Sequence, residues 1–335
     1  MSTAQKIPKE ERIPAGIIFL ILLFFSFVLN IFLSFIIFKS KKVALESNIY
    51  LNFLCICHAI LSLLFIFNVI DHTVDSWLFS GPVCKIQSFL FEVFIVMSTS
   101  LIIMICVHRY RTIFQFYGSG TKRATLLKGF MLLLISVAIS FATLYIYNAY
   151  EFDSKTVCCV KEGESQALLY TRRILYVIKW VILMTLPVVF MIVLYTRIIL
   201  KMSKGNPDIV KIENGIVIQF TGNKQAWVVP DRIPPSIENQ TIDDFNQIER
   251  DRRSFRIRKA LFISMLFTGI YTLFFSQFVI FRLIDAFHAH VNRSARRVSD
   301  FLFILYLISY PMIYVLTVPD HRNRIKTMFS EMRWD

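Results

Sequence analysis

Seven apolar stretches divide the chain, at about 15–39, 48–70, 83–108, 127–148, 172–200, 257–284 and 299–318, with polar segments between them. Each is long enough for the roughly 20 residues that carry a helix across a bilayer. Hydrocarbon offers no partner for a peptide N–H or C=O, so such a run forms a helix, which satisfies its backbone within one segment. The ten-residue alternation of a membrane-spanning β-strand is absent from the sequence. The first run, Ile17 to Phe38, holds 22 residues without a formal charge. It exceeds the apolar region of about 7–15 residues in a secretory signal and no small-x-small cleavage site follows it, so a retained spanning helix is predicted.

The pattern changes twice outside these runs. From Pro319 to Met332, the side chains of Ile325, Met328, Phe329 and Met332 fall on one helical face, which predicts a short amphipathic eighth helix lying on the membrane surface. Between 203 and 254 the chain turns polar, with Asn214-Gly215 between two β-branched runs and Gly222-Asn223 ahead of Trp227-Val228-Val229. Such dipeptides between apolar runs are hairpin signals. A β-hairpin is expected near 208–229, against the competing expectation of a polar loop without fixed structure. The predicted fold is an all-α membrane protein, a seven-transmembrane helix bundle with a short eighth helix. Its expected parts are an outer N-terminus over 1–14, helices 1–5 over 15–202, a long inner loop over 203–254, helices 6–7 over 255–318, and the eighth helix and tail over 319–335.

Composition agrees with the pattern. The 335 residues are 56% hydrophobic and 18% charged, where a soluble domain carries about 45–50% and about 25%. A net charge of +14 would suggest nucleic acid in a soluble protein. In a membrane protein the side that carries the charge matters more, so the expected partner is the lipid bilayer and no nucleic acid is inferred. An extracellular N-terminus places 24 Lys and Arg in the inner segments 39–47, 109–128, 197–259 and 319–335, against 11 in the outer segments 1–16, 71–81, 149–173 and 282–300. Half of the inner charge lies in the long third inner loop, which weighs less in this rule. The bias favours N-terminus outside and C-terminus inside.

Candidate chemistry is sparse. Cys55, Cys57 and Cys106 lie in apolar runs and read as small buried side chains, while Cys84, Cys158 and Cys159 lie in or beside polar loops. No Cys or His spacing matches a metal site, and no nucleophile–base motif appears, so neither an enzyme nor a cofactor is expected. A transporter would show repeats and a path of intramembrane charges, and the sequence has neither.

Several residues do form a pattern in order. Asn30 sits in the first run, and Trp77, Phe79 and Gly81 precede Cys84, which lies 25 positions before Arg109. The third run ends in His108-Arg109-Tyr110, Pro187 and Tyr195 are eight apart in the fifth, and the seventh holds Tyr310-Pro311-Met312-Ile313-Tyr314. Together these resemble the marks of rhodopsin-like G-protein-coupled receptors, over nearly the whole chain except the 203–254 loop. The resemblance implies that Arg109, flanked by His108 and Tyr110, restrains helix 6 in the resting receptor and meets a heterotrimeric G protein in the active one. The competing account is an Arg that only snorkels to lipid head groups. Tyr195 and Tyr314 resemble the tyrosines that swing inward on activation, and Tyr271, Tyr310 and Pro311 complete the switch set. The resemblance also implies that Cys84 pairs with Cys158 or Cys159 on the oxidising outer side, and the sequence leaves both open. Asn292-Arg293-Ser294 is an outer-loop candidate for glycosylation.

The departures from the family are equally specific. His58 stands where the family has Asp, and Tyr310 stands for its Asn, so the family's sodium site is expected to be lost. His108 replaces the acid that pairs with Arg109, which predicts weaker restraint and high basal signalling. Leu273 stands for the usual Pro of helix 6, so the Pro kink is expected to be missing. In the outer halves of the helices, Glu92, Lys179, Gln277, Arg282 and Asp300 are candidates for ligand binding, a polar cradle for a charged or zwitterionic ligand such as a peptide end. A structural Glu92–Lys179 salt bridge is the alternative. Phe91, where amine receptors carry Asp, disfavours an amine, and helix 7 has no Lys for retinal. The expected function is a plasma-membrane receptor that passes the signal of an extracellular ligand, of peptide or lipid class, or its own basal activity, to a G protein. A non-coupling decoy is the competing function.

Overall fold

The computed structural model of the chain describes residues 9–39, 46–74, 76–114, 121–141, 143, 147–152, 155–160, 166–203, 212–213, 216–217, 262, 265–266, 268–287 and 293–317. Its main elements are α1 (Lys9–Phe38), α2 (Glu46–Val74), α3 (Gly81–Phe114), α4 (Lys122–Ser140), strands β1 (Tyr147–Phe152) and β2 (Lys155–Val160), α5 (Gln166–Ser203), strands β3 (Ile212–Glu213) and β4 (Ile216–Val217), α6 (Ser276–Phe287) and α7 (Arg293–Thr317). A π-helical turn, Tyr271–Phe275, leads into α6. The eighth helix expected at 319–335 and the glycosylation candidate Asn292 lie outside the described residues.

Among the described residues, five helices are long and apolar enough to cross a membrane, and two shorter apolar stretches, Thr185–Leu200 and Thr268–Phe281, supply the rest of the bundle. Their outer faces are apolar too: Phe24 is 69% exposed and Leu127 is 61% exposed. A soluble monomer rarely exposes such a continuous apolar belt, and lipid is the solvent that covers it. At about 1.5 Å per residue, the 38 residues of α5 reach well past a hydrocarbon core of roughly 30 Å.

The helices pack around α3 and α7. α1 lies on α2 and α7, α2 on α3 and α4, α3 on α4 and α5, and α6 bridges α5 to α7. Small residues set the closest approaches. A Cβ at Gly16 would fall 2.2 Å from Thr73 Oγ1, and one at Gly129 would fall 2.6 Å from a ring carbon of Phe53. Some hydroxyls return to their own helix, as Thr73 does to the Val69 carbonyl and Ser136 to that of Leu132, each at 2.7 Å.

Several boundaries differ from expectation. Helix 4 was expected to run to 148, but α4 ends at Ser140, and β1 begins at Tyr147. β1 and β2 form an antiparallel hairpin running from the Tyr147–Val160 pair to the Phe152–Lys155 pair, and β1 packs against α3. Aromatic and β-branched residues favour strands, and outside the hydrocarbon a neighbouring strand can supply the backbone partners that a helix must supply within it. Helix 7 begins six residues earlier than expected, at Arg293. In the long loop, β3 pairs with β4 in the register Ile212–Val217 and Glu213–Ile216, on either side of Asn214-Gly215. The second turn, at Gly222-Asn223, lies outside the described residues.

Candidate functional site

Polar groups within a spanning bundle are costly and need partners, so they mark where the helices are tied together. Asn30, fully buried, donates from Nδ2 to the carbonyls of Ser26 at 2.9 Å and of Leu307 at 3.1 Å. The second bond has a physical cause. The Leu307 carbonyl is four residues before Pro311, which has no N–H to return to it. Asn30 supplies the missing donor from α1. One turn from Asn30 on α1, the Ser26 hydroxyl is hydrogen-bonded to that of Ser62 on α2 at 2.9 Å, and Ser62 also donates to the His58 carbonyl at 2.8 Å.

His58 sits at the centre of this cluster, fully buried. Its Nε2 shares a 3.3 Å hydrogen bond with the Tyr306 hydroxyl. Its ring is met edge-on by Tyr306 at 5.0 Å and Tyr310 at 5.1 Å, and Ser98 of α3 lies beside the Tyr306 hydroxyl. Ser98 also donates to the Ile95 carbonyl at 2.9 Å. The groups around His58 are thus hydroxyls and aromatic edges. Among the described residues, no three His, Cys, Asp or Glu side chains converge as metal ligands.

A second tie joins α3, α5 and helix 6 nearer Arg109. The Tyr195 hydroxyl is hydrogen-bonded to Cys106 Sγ at 3.1 Å and accepts from Thr268 Oγ1 at 3.3 Å. One turn beyond Thr268, Tyr271 opens the π-helical turn and its hydroxyl is hydrogen-bonded to Thr99 of α3 at 3.2 Å. The π turn occupies the place where Pro was expected and is absent: Leu273, within it, is 60% exposed to the lipid side. Helix 6 therefore lacks a Pro but not a break, because the wider turn interrupts the regular hydrogen-bond ladder there. At the end of α7, the Tyr314 hydroxyl donates to Asn48 Oδ1 of α2 at 3.3 Å.

The remaining expected residues fall as follows. His108 and Tyr110 are half-buried on the last turns of α3, and the Arg109 side chain lies outside the described ones. Pro311 is buried within α7. Glu92 is buried and accepts from Thr143 Oγ1 at 2.5 Å, past the end of α4. Asp300 is buried on α7, and Gln277 is half-buried on α6. Lys179 and Arg282 are on α5 and α6, with side chains outside the described ones. Cys84 is buried and disulfide-bonded near the start of α3. Cys158 and Cys159 are on β2, paired in register with Ala149 and Asn148 of the strand that packs on α3.

Asn48, Thr99, Thr268 and Tyr306 are among the partners that the family pattern does not mark. Each is a polar group within an apolar run, and that alone is a signal. Cys106 was expected to be only a small buried side chain, yet it contacts a switch tyrosine. Above the His58 cluster the bundle is filled by rings. Phe65, Phe91, Phe278 and Phe303 are at most 8% exposed, and the Phe278 and Phe303 rings stack at 4.5 Å.

Comparison with known proteins gives two findings. A family model described as 7 transmembrane receptor (rhodopsin family) matches residues 29–314. Neuropeptide Y receptor type 6 of Oryctolagus cuniculus is 26% identical over 199 residues, which span 54% of this chain and 52% of that receptor.

Proposed function

The chain belongs to the rhodopsin family of seven-transmembrane receptors, and on that premise we propose that it passes an extracellular signal, or its own basal activity, to a heterotrimeric G protein. It is a multi-pass membrane protein of a receptor family, not of an enzyme family. The observation that carries the proposal is the Tyr195 contact. One hydroxyl joins Cys106 on α3 to Thr268 on helix 6, three residues before Arg109 in the chain. Any outward movement of helix 6 must break or re-form this contact, so it is a two-state element of the kind a transmitted signal requires. Tyr314, held by Asn48, is a second group with a partner to lose.

In this proposal the receptor sits in the plasma membrane with its N-terminus outside, and the 203–254 loop and the 319–335 segment face the cytoplasm. His108, Arg109 and Tyr110 meet the G protein, and the His58–Tyr306–Tyr310 cluster replaces a sodium site with neutral hydrogen bonds. Cys84 pairs with Cys158 or Cys159. Successive strand positions face opposite sides, so only one of the two can meet α3. The ligand is of peptide class: the relative carries the name of a neuropeptide receptor. Gln277, Arg282, Lys179 and Asp300 are the candidates to meet it, with Asn292 glycosylated on the same side.

The test is a G-protein activation panel on membranes bearing the full chain, with and without peptide extracts. Nucleotide exchange on at least one G protein is expected, with measurable basal exchange owing to His108. Arg109→Ala should abolish it at equal surface expression. Silence on every G protein, with and without extract, would leave the non-coupling decoy as the function.

A further inference from the structure

The polar and aromatic clusters are in register. His58 on α2, Ser98 on α3, Tyr271 at the π turn and Tyr310 on α7 belong to the polar cluster. Seven residues from each, toward the end of the bundle that carries Cys84, stands a phenylalanine: Phe65, Phe91, Phe278 and Phe303. In α2, α3 and α7 seven residues are nearly two full turns, which returns a side chain to the same helix face about 10 Å further along; in helix 6 the interval includes the π turn, and Phe278 still meets the other three rings. Four helices therefore repeat one device, a polar group at the bundle centre and a ring one layer above it.

The four rings close that layer. Every one of their six pairings is a ring contact, with centroids between 4.5 and 6.3 Å. Phe65, Phe278 and Phe303 are 0% exposed and Phe91 is 8% exposed. Below them Phe275 and Tyr306 continue the packing, at 6.3 Å from Phe278 and 6.0 Å from Phe303. Mutual tilted and edge-on contacts of this kind fill space and favour one arrangement.

We propose that the four-phenylalanine layer is a built-in occupant of the bundle centre, so that an extracellular ligand acts from the outer side of the layer without reaching the polar cluster beneath it. The space of any one ring is accordingly a site for a small neutral aromatic molecule once that ring is removed. An apolar cavity in a packed core stays dry and accepts such molecules. The proposal rests on the receptor function only for which end of the bundle is outer.

The experiment uses the full chain in lipid nanodiscs. Ser98→Cys places a thiol beneath the layer, at a position 2% exposed. A small cationic thiosulfonate reagent is added, and modification of that residue is followed by mass spectrometry. With all four rings present, labelling should be slow. Adding Phe303→Ala should raise the rate by at least about tenfold, and benzene should slow it again by refilling the ring's place. Phe278→Ala gives the same test should Phe303→Ala fold poorly, and Phe24→Ala, on the lipid face, should change nothing. Rapid labelling of Ser98→Cys with the layer intact overturns the proposal. So do rates unmoved by either alanine variant, or labelling of the Phe303→Ala background that benzene leaves unchanged. No G protein takes part, so this result and that of the activation panel fail independently.

Discussion

The Asn30 bond to α7 makes a sharp prediction. Asn30→Ala removes the donor that serves the Leu307 carbonyl at 3.1 Å, and Pro311 ensures that no N–H four residues on replaces it. An interhelical hydrogen bond in a membrane contributes on average about 0.6 kcal/mol. A buried carbonyl left unsatisfied costs roughly 1–3 kcal/mol, so Asn30→Ala should destabilise the bundle by about 2 kcal/mol in all. The proof lies in a cycle. Pro311→Ala returns an N–H to the ladder, so in that background the Leu307 carbonyl has a partner and Asn30→Ala should cost only about 0.6 kcal/mol. The coupling between positions 30 and 311 should therefore be on the order of 1 kcal/mol. The assay is unfolding of the four purified proteins in one detergent at one scan rate, since irreversible melts depend on scan rate. Equal losses on Asn30→Ala in the two backgrounds would refute the assignment of the bond to the carbonyl that proline exposes.

Three further outcomes are expected. Tyr195→Phe removes the hydroxyl shared by Cys106 and Thr268. Basal nucleotide exchange should fall roughly threefold, the equivalent of about 0.6 kcal/mol. Thr268→Val in addition should lower it little further, and additive losses would show that the two hydroxyls act separately. Phe303→Ala, at a site 0% exposed, and Phe24→Ala, at one 69% exposed, should separate packing from transfer. In lipid the unfolded reference also keeps the ring out of water, so only the cavity remains, about 24 cal/mol per Å³ over roughly 100 Å³, or about 2 kcal/mol at Phe303 and almost nothing at Phe24. Equal melting shifts would contradict this. Gly129→Leu should destabilise by roughly 1–3 kcal/mol, because even a Cβ there lies 2.6 Å from the Phe53 ring, whereas Gly269, with nothing within 4 Å, should tolerate Ala.

The spans were legible because lipid makes the demand uniform: about 20 apolar residues, all helical. The ends of α4 and the β1–β2 hairpin were not, since beyond the hydrocarbon helix and strand satisfy the backbone equally well and Tyr147–Phe152 carries no strong punctuation. The switch residues were legible only as departures. Tyr310 and His58 could be placed at one level by resemblance, but their edge-on contact at 5.1 Å and the role of Tyr306 between them belong to the packing of α2 on α7. The π turn at Tyr271–Phe275 had no sequence signal, because the missing Pro removed the one residue that would have announced a break.

By itself the sequence determined the number of crossings, their order and the family, because each follows from local composition or from residues at fixed spacing. Tertiary structure decided which side chains face inward. In a soluble protein the hydrophobic stripe marks the core. Here both faces of a helix are apolar, since lipid tails are as apolar as the interior, and 33 phenylalanines look alike along the chain. Only packing separates Phe24, which faces lipid, from Phe65 and Phe303, which close the centre of the bundle.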